Sequence, residues 1–225
     1  MTILTPVTRE SLRQEQRRHW SRFLRRHPNV YGDTPSTVAL QAQRAWESAG
    51  IQRIVELGAG HGRDTIPFAA AGLDVVAIDF AAGTADVIHR RAHAAGVADR
   101  VTVIEHDLAG GIPLDNASVD GCFAHMLLCM ALTSTELLHL VDEIHRVVRP
   151  GGIVAYSVRT TADAHHGTGR YRGDGLWEHG GFVVRFFDRS LVDNLARARF
   201  DILTVTDHEE GDLPRRLWAV TMRRR

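Results

Sequence analysis

Residues 55–64, VELGAGHGRD, place three glycines at alternate positions directly after an apolar run. Glycine is favoured where the backbone adopts a positive φ or where another group must approach the main chain closely. A strand that ends in such a turn and continues into a helix brings backbone amides and a helix N-terminus to one point, which suits a small ligand. The stretch therefore predicts an α/β protein with a ligand site at this turn.

The rest of the chain alternates strand-like and helical segments, an order that predicts parallel strands joined by right-handed crossovers. Thr133 and Glu136 predict a capping box at the start of the best-marked helix. Asp188 is placed to cap a last helix that ends near Arg199. The helical stretches between strands lie near 64–71, 83–95 and 134–148. The strand-like runs are 53–57, 73–79, 100–106, 118–124, 152–158, 200–206 and 216–222.

Two segments lie outside this alternation. Residues 8–26 have a helical apolar pattern, and Ser36 is placed to cap a second helix that ends near Gly50. We therefore expect residues 1–50 to form a helical cap on a core of residues 51–225. Residues 159–181 contain several glycines, and we expect a loop there that acts as a lid or binds an acceptor, as long loops at a ligand edge often do.

The composition indicates a globular protein. The 27 acidic and 27 basic residues balance, and apolar residues make up 44% of the chain. No apolar run is long enough to cross a bilayer and the N-terminus lacks a signal-peptide core, so we expect a cytoplasmic protein without a membrane partner. Cys122 and Cys129 fit neither a CxxC pair nor a disulfide framework, and we expect both to be buried hydrophobes.

Acidic residues occur at the ends of the first three predicted strands, as Glu56, Asp79 and Asp107. The carboxyl ends of parallel strands share one edge, so these side chains are expected around the glycine turn. A dinucleotide site with GxGxxG needs its third glycine where Arg63 stands, one residue beyond Gly62. Glu56 would repel a pyrophosphate but suits a ligand with a positive charge, such as the ammonium group of an amino acid.

Residues 56–62, ELGAGHG, resemble the first motif of class I S-adenosylmethionine-dependent methyltransferases, and further motifs follow in the family's order. Asp79 after VVAI resembles the second motif, and residues 106–108, HDL, resemble the third-strand motif. Residues 113–120, PLDNASVD, and 146–152, RVVRPGG, resemble the segments around the fourth and fifth strands. The resemblance implies a Rossmann-like, doubly wound α/β fold whose seven-stranded sheet is mostly parallel, with an antiparallel C-terminal hairpin strand.

The same resemblance implies S-adenosyl-L-methionine as cofactor and S-adenosyl-L-homocysteine as product. Asp79 would hold the ribose hydroxyls of the cofactor, and Asp107 would face the adenine amino group. In small-molecule members of the superfamily N-terminal helices cover the cofactor, which adds Trp20 and Tyr31, although simple packing explains both equally well. The cofactor-binding residues implied in this way are Glu56, Gly58, Ala59, Gly60, Gly62, Asp79, Phe80, Asp107, Leu108, His125 and Tyr31.

The implied reaction is in-line displacement of the sulfonium methyl by an O, N or S nucleophile of a small molecule, driven mainly by positioning. A hydroxyl or a protonated amine needs a general base, whereas a thiolate does not. His125 is the first candidate base because it follows the fourth strand; a histidine that only packs against adenosine is the alternative. His165 and His166 are further candidate bases, and the candidate acceptor-binding residues are Arg159, Tyr171, Trp177 and Trp20.

Other functions are also compatible with the sequence. Nucleic-acid methylation is disfavoured, since residues 124–128, AHMLL, lack the Asn/Asp-Pro-Pro-aromatic segment typical of base methylation. It stays an alternative because residues 9–26 contain seven arginines, which could contact phosphates. Protein methylation and a catalytically silent adenosyl-binding module are further alternatives. No metal site is expected, because His89 and His93 have no third ligand nearby in sequence. The C-terminal stretch is loosely similar to tellurite-resistance and thiopurine-type methyltransferases, which names no acceptor, and monomer and homodimer are both compatible with the sequence.

Overall fold

The computed structural model describes residues 9–211 and 215–225, with side chains from Leu12 onward in the first helix. Thr8, where the first helix was predicted to begin, and the first eight residues of the predicted cap lie outside the described residues. The helices are α1 (Arg9–Arg26), α2 (Thr37–Ala49), α3 (Thr65–Ala70), α4 (Thr84–Ala94), α5 (Ser134–Val147) and α6 (Arg189–Ala196). The strands are β1 (Arg53–Leu57), β2 (Asp74–Asp79), β3 (Val101–Glu105), β4 (Val119–His125), β5 (Val148–Arg159), β6 (Arg170–Gly173), β7 (Leu176–His179), β8 (Phe182–Arg185), β9 (Phe200–Glu210) and β10 (Arg215–Arg224).

Seven strands form the main sheet in the order β3-β2-β1-β4-β5-β10-β9. The pairs among β1 to β5 are parallel, whereas β10 runs antiparallel to both β5 and β9. The predicted fold, a doubly wound and mostly parallel sheet with an antiparallel C-terminal hairpin, is confirmed. Parallel order places the carboxyl ends of β1, β2, β3 and β4 at one edge of the sheet.

Helices cover both faces of the sheet. Nearly all central residues of β1, β2, β4 and β5 are buried, which requires cover on both sides. On one face α2, α3 and α4 pack around Trp46, whose ring contacts Phe68 at 5.1 Å between centroids. On the other face α5 and α6 pack over Tyr156 and the apolar residues of β4 and β5. Within the described residues, no helix combines the length and apolar character needed to cross a bilayer.

The segment 159–181 is a loop only between β5 and β6, so the prediction of one long loop was wrong. Strand β5 continues to Arg159, and β6, β7 and β8 form a separate three-stranded antiparallel sheet. Each of these strands has only four residues, too few for an alternating pattern to stand out. The glycines that suggested a loop occupy the turns between strands, where Gly173, Gly175 and Gly181 have positive φ.

Helix α1 packs on β8 of this small sheet. The buried Gln16 side chain donates from Nε2 to the Gly181 carbonyl at 2.8 Å and accepts from the Val183 amide at 3.2 Å. Phe182 contacts the rings of His19, Trp20 and Phe23 at centroid distances of 4.4, 4.9 and 5.0 Å. The first helix and the small sheet therefore form one packed unit.

The predicted capping box at the start of α5 is present. Thr133 Oγ1 accepts from the Glu136 amide at 3.2 Å, and Glu136 Oε2 accepts from the Thr133 amide at 2.8 Å.

We expect Thr133→Ala to lower the free energy of unfolding by about 1 kcal/mol in urea denaturation, because the helix loses this cap. The control Ser48→Ala, which removes an exposed hydroxyl bonded only to its own helix at Arg44, should change it by less than about 0.5 kcal/mol. Equal losses in the two variants would contradict the assignment.

Candidate functional site

The three glycines of the β1–α3 turn have φ of +73° at Gly58, +55° at Gly60 and +77° at Gly62. This left-handed backbone is strained for other residues, which explains all three glycines. A Cβ at Gly58 would lie 3.1 Å from Leu127, and one at Gly62 would lie 3.1 Å from Ile88. A Cβ at Gly60 would meet no atom within 4 Å, so among these three glycines Gly60 is the one with open space where a side chain would project.

Asp79, at the end of β2, ties this turn to the neighbouring strand. Its Oδ2 accepts from the Gly60 amide and its Oδ1 from the Ala81 amide, both at 2.8 Å. Burial raises the pKa of this carboxyl, and the bonds from Ala81 and Gly60 act against that rise. Phe80, which follows, is partly exposed at the same edge. Asp79 therefore lies beside the glycine turn, as the sequence predicted.

Glu56 is buried beneath the turn and accepts a hydrogen bond from Thr65 Oγ1 at 2.5 Å. Burial, followed by the nearby charge of Asp64, raises the pKa of Glu56 well above its usual range. Among the described residues no cation pairs directly with this carboxyl. Asp64 is buried as well, and it accepts from the amide and hydroxyl of Ser36 at 2.7 and 3.0 Å, which anchors the start of α2 on the turn.

Helix α1 crosses the carboxyl ends of β2 and β3. Arg13 pairs with Asp107 at 2.8 Å, and Arg17 pairs with Glu105 at 3.1 Å. Ser21 Oγ accepts from the Ala82 amide at 3.2 Å, just after β2. The other oxygen of Asp107 accepts from the Ala109 amide at 3.1 Å and begins a short 3₁₀ turn that starts at the buried Leu108. The first helix thus covers the positions predicted to face the cofactor's adenosine.

The link between α1 and α2 covers the glycine turn from another side. His61 Nδ1 lies 3.0 Å from the carbonyl of Pro28, and Arg91 donates to the His61 carbonyl at 2.7 Å while pairing with Asp33. The guanidinium of Arg63 lies over the ring of the exposed Tyr31 at 5.6 Å. The buried Ala59 completes the turn. Tyr31 therefore lies next to the turn, a position compatible with the expected role in covering the cofactor.

His125 ends β4 and has a hydrogen-bond partner at each ring nitrogen. Nε2 lies 2.9 Å from Glu210 Oε2, and Nδ1 lies 2.8 Å from Ser157 Oγ. The ring stacks on Phe123, with an interplanar angle of 6°. Met126, the next residue, has a φ of +58°, a strained conformation of the kind that clusters at functional sites. The ring can take a proton from an acceptor only at a nitrogen that carries no hydrogen and whose present partner has moved away.

Glu210, the last residue of β9, is a site residue that the sequence analysis missed. Its carboxylate joins His125 to Arg63, whose Nη1 donates to Oε1 at 3.0 Å. Burial opposes ionisation of Glu210, but the hydrogen bonds and charges of His125 and Arg63 outweigh it and lower its pKa to about 2. No local motif signals this role, because it depends on a hairpin that brings Glu210 close to a turn far away in the chain.

The other two candidate bases belong to a different network. Arg159 is buried and bonds both oxygens of Asp163, at 3.0 and 2.5 Å, and its Nη2 lies 3.0 Å from His165 Nδ1. His165 stacks on His179, while the exposed His166 contacts Phe186. Among the described residues neither candidate base bonds to or stacks on His125. Arg159 is held by partners of its own chain, so its predicted acceptor contact requires this network to rearrange.

The predicted acceptor-binding aromatic residues fall into two groups. Tyr171 and Trp177 pair across β6 and β7, with ring centroids 5.0 Å apart, and Tyr171 is exposed while Trp177 packs partly on the main core. Trp20 belongs instead to the cluster around Phe182. Phe182 was missed by the sequence analysis, since it lies in a strand of four residues that the pattern did not reveal.

The chain is similar in sequence to known methyltransferases. A family model described as a methyltransferase domain matches residues 54–152. An uncharacterized methyltransferase of Mycobacterium bovis is 35% identical over 104 residues, which are 46% of this chain and 38% of that protein. A malonyl-[acyl-carrier protein] O-methyltransferase of Yersinia pestis is 33% identical over 106 residues, 46% of this chain and 35% of that protein. The match thus spans well under half of these relatives' own length.

A solved structure resembles the whole chain. The Burkholderia thailandensis 1,6-didemethyltoxoflavin-N1-methyltransferase, with bound 1,6-didemethyltoxoflavin and S-adenosylhomocysteine, superposes with a TM-score of 0.75 at 20% identity. The superposition covers 100% of this chain and 92% of that one. At this level of identity the similarity shows a shared fold.

The open space at Gly60 gives a test of the site. We expect Gly60→Ala to abolish binding of S-adenosylhomocysteine in calorimetry, because the new methyl group projects where the ligand's closest approach is predicted. Gly96→Ala is the matched control: Gly96 has a similar φ of +70° and equally open surroundings, but follows α4 at the opposite edge of the sheet. Both variants should lose about 1 kcal/mol of stability from the strained backbone. Unimpaired binding by Gly60→Ala would remove the turn from the ligand site.

Proposed function

We propose that this chain, whose residues 54–152 match a methyltransferase domain, is a class I S-adenosylmethionine-dependent enzyme that methylates a small molecule at an O, N or S nucleophile. The observation that carries the proposal is the arrangement of Gly60, Asp79 and Asp107 at one edge of the sheet, beneath α1. The similar Burkholderia protein, which is named for N-methylation of a small molecule, supports this acceptor class.

The residues present fit S-adenosylmethionine at this edge. Asp79, held by two backbone amides, would accept from the ribose hydroxyls, and Asp107 would face the adenine, with Phe80 and Leu108 beside them. Glu56 lies on the side where an ammonium group is expected, and a buried carboxyl with a raised pKa gains most from such a neighbour. When bound, the cofactor supplies a methyl group on a sulfonium, which is already activated for displacement.

The chain's own contribution to catalysis is mainly positioning and exclusion of water. Holding acceptor and methyl in line can supply on the order of 7–11 kcal/mol of the barrier. An acceptor that is already nucleophilic, such as a neutral amine or a thiolate, would need no change at His125, whose two nitrogens are both bonded. A hydroxyl acceptor would need Nδ1 of His125 to be free of hydrogen and to exchange Ser157 for the acceptor's proton, because Nε2 already carries a hydrogen toward Glu210. We retain 159–181 as the acceptor-binding segment, in which β6 and β7 carry Tyr171 and Trp177.

The test of the proposal is a screen of amine, thiol and phenol acceptors with S-adenosylmethionine labelled in its methyl group. We expect label in at least one acceptor, and we expect Asp79→Ala to abolish transfer and to weaken binding of S-adenosylhomocysteine by at least about tenfold, since ribose hydroxyls lose a charged partner. In addition, S-adenosylhomocysteine should raise the melting temperature and NAD should not. Cofactor binding without transfer to any small, nucleic-acid or protein acceptor would identify a silent binding module.

The raised pKa of Glu56 gives a pH prediction. In the free protein the carboxyl retains its proton to higher pH than usual, and a bound ammonium group favours the ionised form, so binding releases a proton. We expect the affinity for S-adenosylhomocysteine to rise with pH until free Glu56 is ionised, and to level off above that point.

Calorimetry in two buffers of different ionisation enthalpy counts the released protons. We expect Glu56→Gln to reduce the count and weaken binding, whereas the control Glu47→Gln, at an exposed position in α2, should change neither. Proton release that is the same in Glu56→Gln and wild type would show that Glu56 does not face the ammonium group.

A further inference from the structure

We propose that Glu210 is a positioning residue of the site: its carboxylate holds the β9–β10 hairpin against the glycine turn and orients the His125 ring by bonding Arg63 and His125 together. Three segments far apart in the chain meet at this carboxylate, namely the end of β9, the end of β4 and the turn after β1. Its part in cofactor binding rests on the function proposed above, whereas its part in orienting His125 does not.

The surroundings of Glu210 make these contacts strong. Side-chain exposure is 23% for Glu210, 14% for Arg63 and 13% for His125, so the charges are largely withdrawn from water. Ion pairs keep more of their strength there, and removing one partner leaves the others buried and unpaired. The adjacent Glu209 also pairs with an arginine, Arg216, but the two side chains are 51% and 58% exposed. A pair of that kind contributes little, which makes Glu209 a matched control.

The hydrogen bond to Glu210 assigns a hydrogen to Nε2 of His125. Glu210 is ionised and can only accept, so Nε2 of the ring carries the hydrogen that points to Oε2. Ser157 Oγ accepts from the Met126 amide at 3.0 Å and lies 2.8 Å from Nδ1, and because a hydroxyl both donates and accepts it holds this edge of the ring with or without a hydrogen on Nδ1. The resulting chain from serine to histidine to carboxylate has the order of a hydrolase triad, but Ser157 is fully buried in the sheet and reaches no substrate. The chain therefore orients the ring.

The same carboxylate connects the ring to the cofactor turn. Arg63 adjoins the glycine turn, stacks on Tyr31 and lies 3.6 Å from Asp64, the residue that anchors α2. When Glu210 bonds Arg63, the end of the hairpin is fixed beside the turn and the α1–α2 link. A cofactor bound at Gly60 would then contact a turn that Glu210 holds in place through Arg63, so loss of this contact would loosen the ligand's binding site.

The experiment compares Glu210→Ala and Glu210→Gln with the control Glu209→Gln. In the ligand-free protein, nitrogen-edited NMR reports the ring hydrogen at His125 Nε2, and the signal is identified by its absence from His125→Gln. We expect a protected signal in wild type and Glu209→Gln and its loss in Glu210→Ala.

For the ligand, stopped-flow measurement should show S-adenosylhomocysteine leaving Glu210→Ala at least about tenfold faster than wild type. Glu210→Gln, which keeps an oxygen acceptor without the charge, should fall between the two.

The outcomes separate this inference from the proposed function. Folded Glu210→Ala or Glu210→Gln with an unchanged His125 signal would overturn the inference, as would a changed signal with unchanged ligand dissociation. Wild-type protein that does not bind S-adenosylhomocysteine at all would overturn the proposed function, and the NMR comparison would still decide whether Glu210 orients His125. If Glu210→Ala does not fold, the Gln variant gives the same decision from the same two measurements.

Discussion

The left-handed backbone of the β1–α3 turn is the constraint around which the site is organised. Gly58, Gly60 and Gly62 let the chain leave β1 with its amides directed at β2, where Ile78 and Asp79 accept them. The turn then ends at Asp64, whose carboxylate fixes the start of α2. One local conformation therefore connects the end of β1 to β2, fixes where α2 begins and leaves open space beside the Cα of Gly60.

Much of the fold could be predicted because its signals are local. Buried parallel strands alternate with helices, caps such as Thr133 with Glu136 mark a helix start, and the glycine turn has a spacing of its own. The shared location of the carboxylates at the ends of β1, β2 and β3 could be predicted because the carboxyl ends of parallel strands lie at one edge of the sheet. The same reasoning gave a wrong prediction for 159–181, since strands of four residues are too short to show an alternating apolar pattern and the glycines of their turns resemble those of a loop.

The missed parts of the site depend on contacts between distant segments. His125 was placed correctly at the end of β4, but its partners Ser157 and Glu210 come from other strands, and no spacing in the sequence connects them. Arg159 looked free to bind an acceptor, yet Asp163, four residues later, already bonds its guanidinium. A sequence shows which residues can carry charge, whereas the fold decides whether that charge is already paired.

Paired and unpaired charges divide the site into two regions with different physical roles. Around His125, each charge has a partner, as the chain from Arg63 through Glu210 shows, and such a region keeps one geometry. Around the glycine turn, Glu56 and Asp79 are buried carboxyls with raised pKa values, a costly arrangement that a cationic, hydroxyl-bearing ligand relieves. Local rules of stability are broken at functional sites and kept elsewhere. By that reasoning the turn is where ligand binding energy is gained, and the His125 network is the rigid support against which the ligand is held.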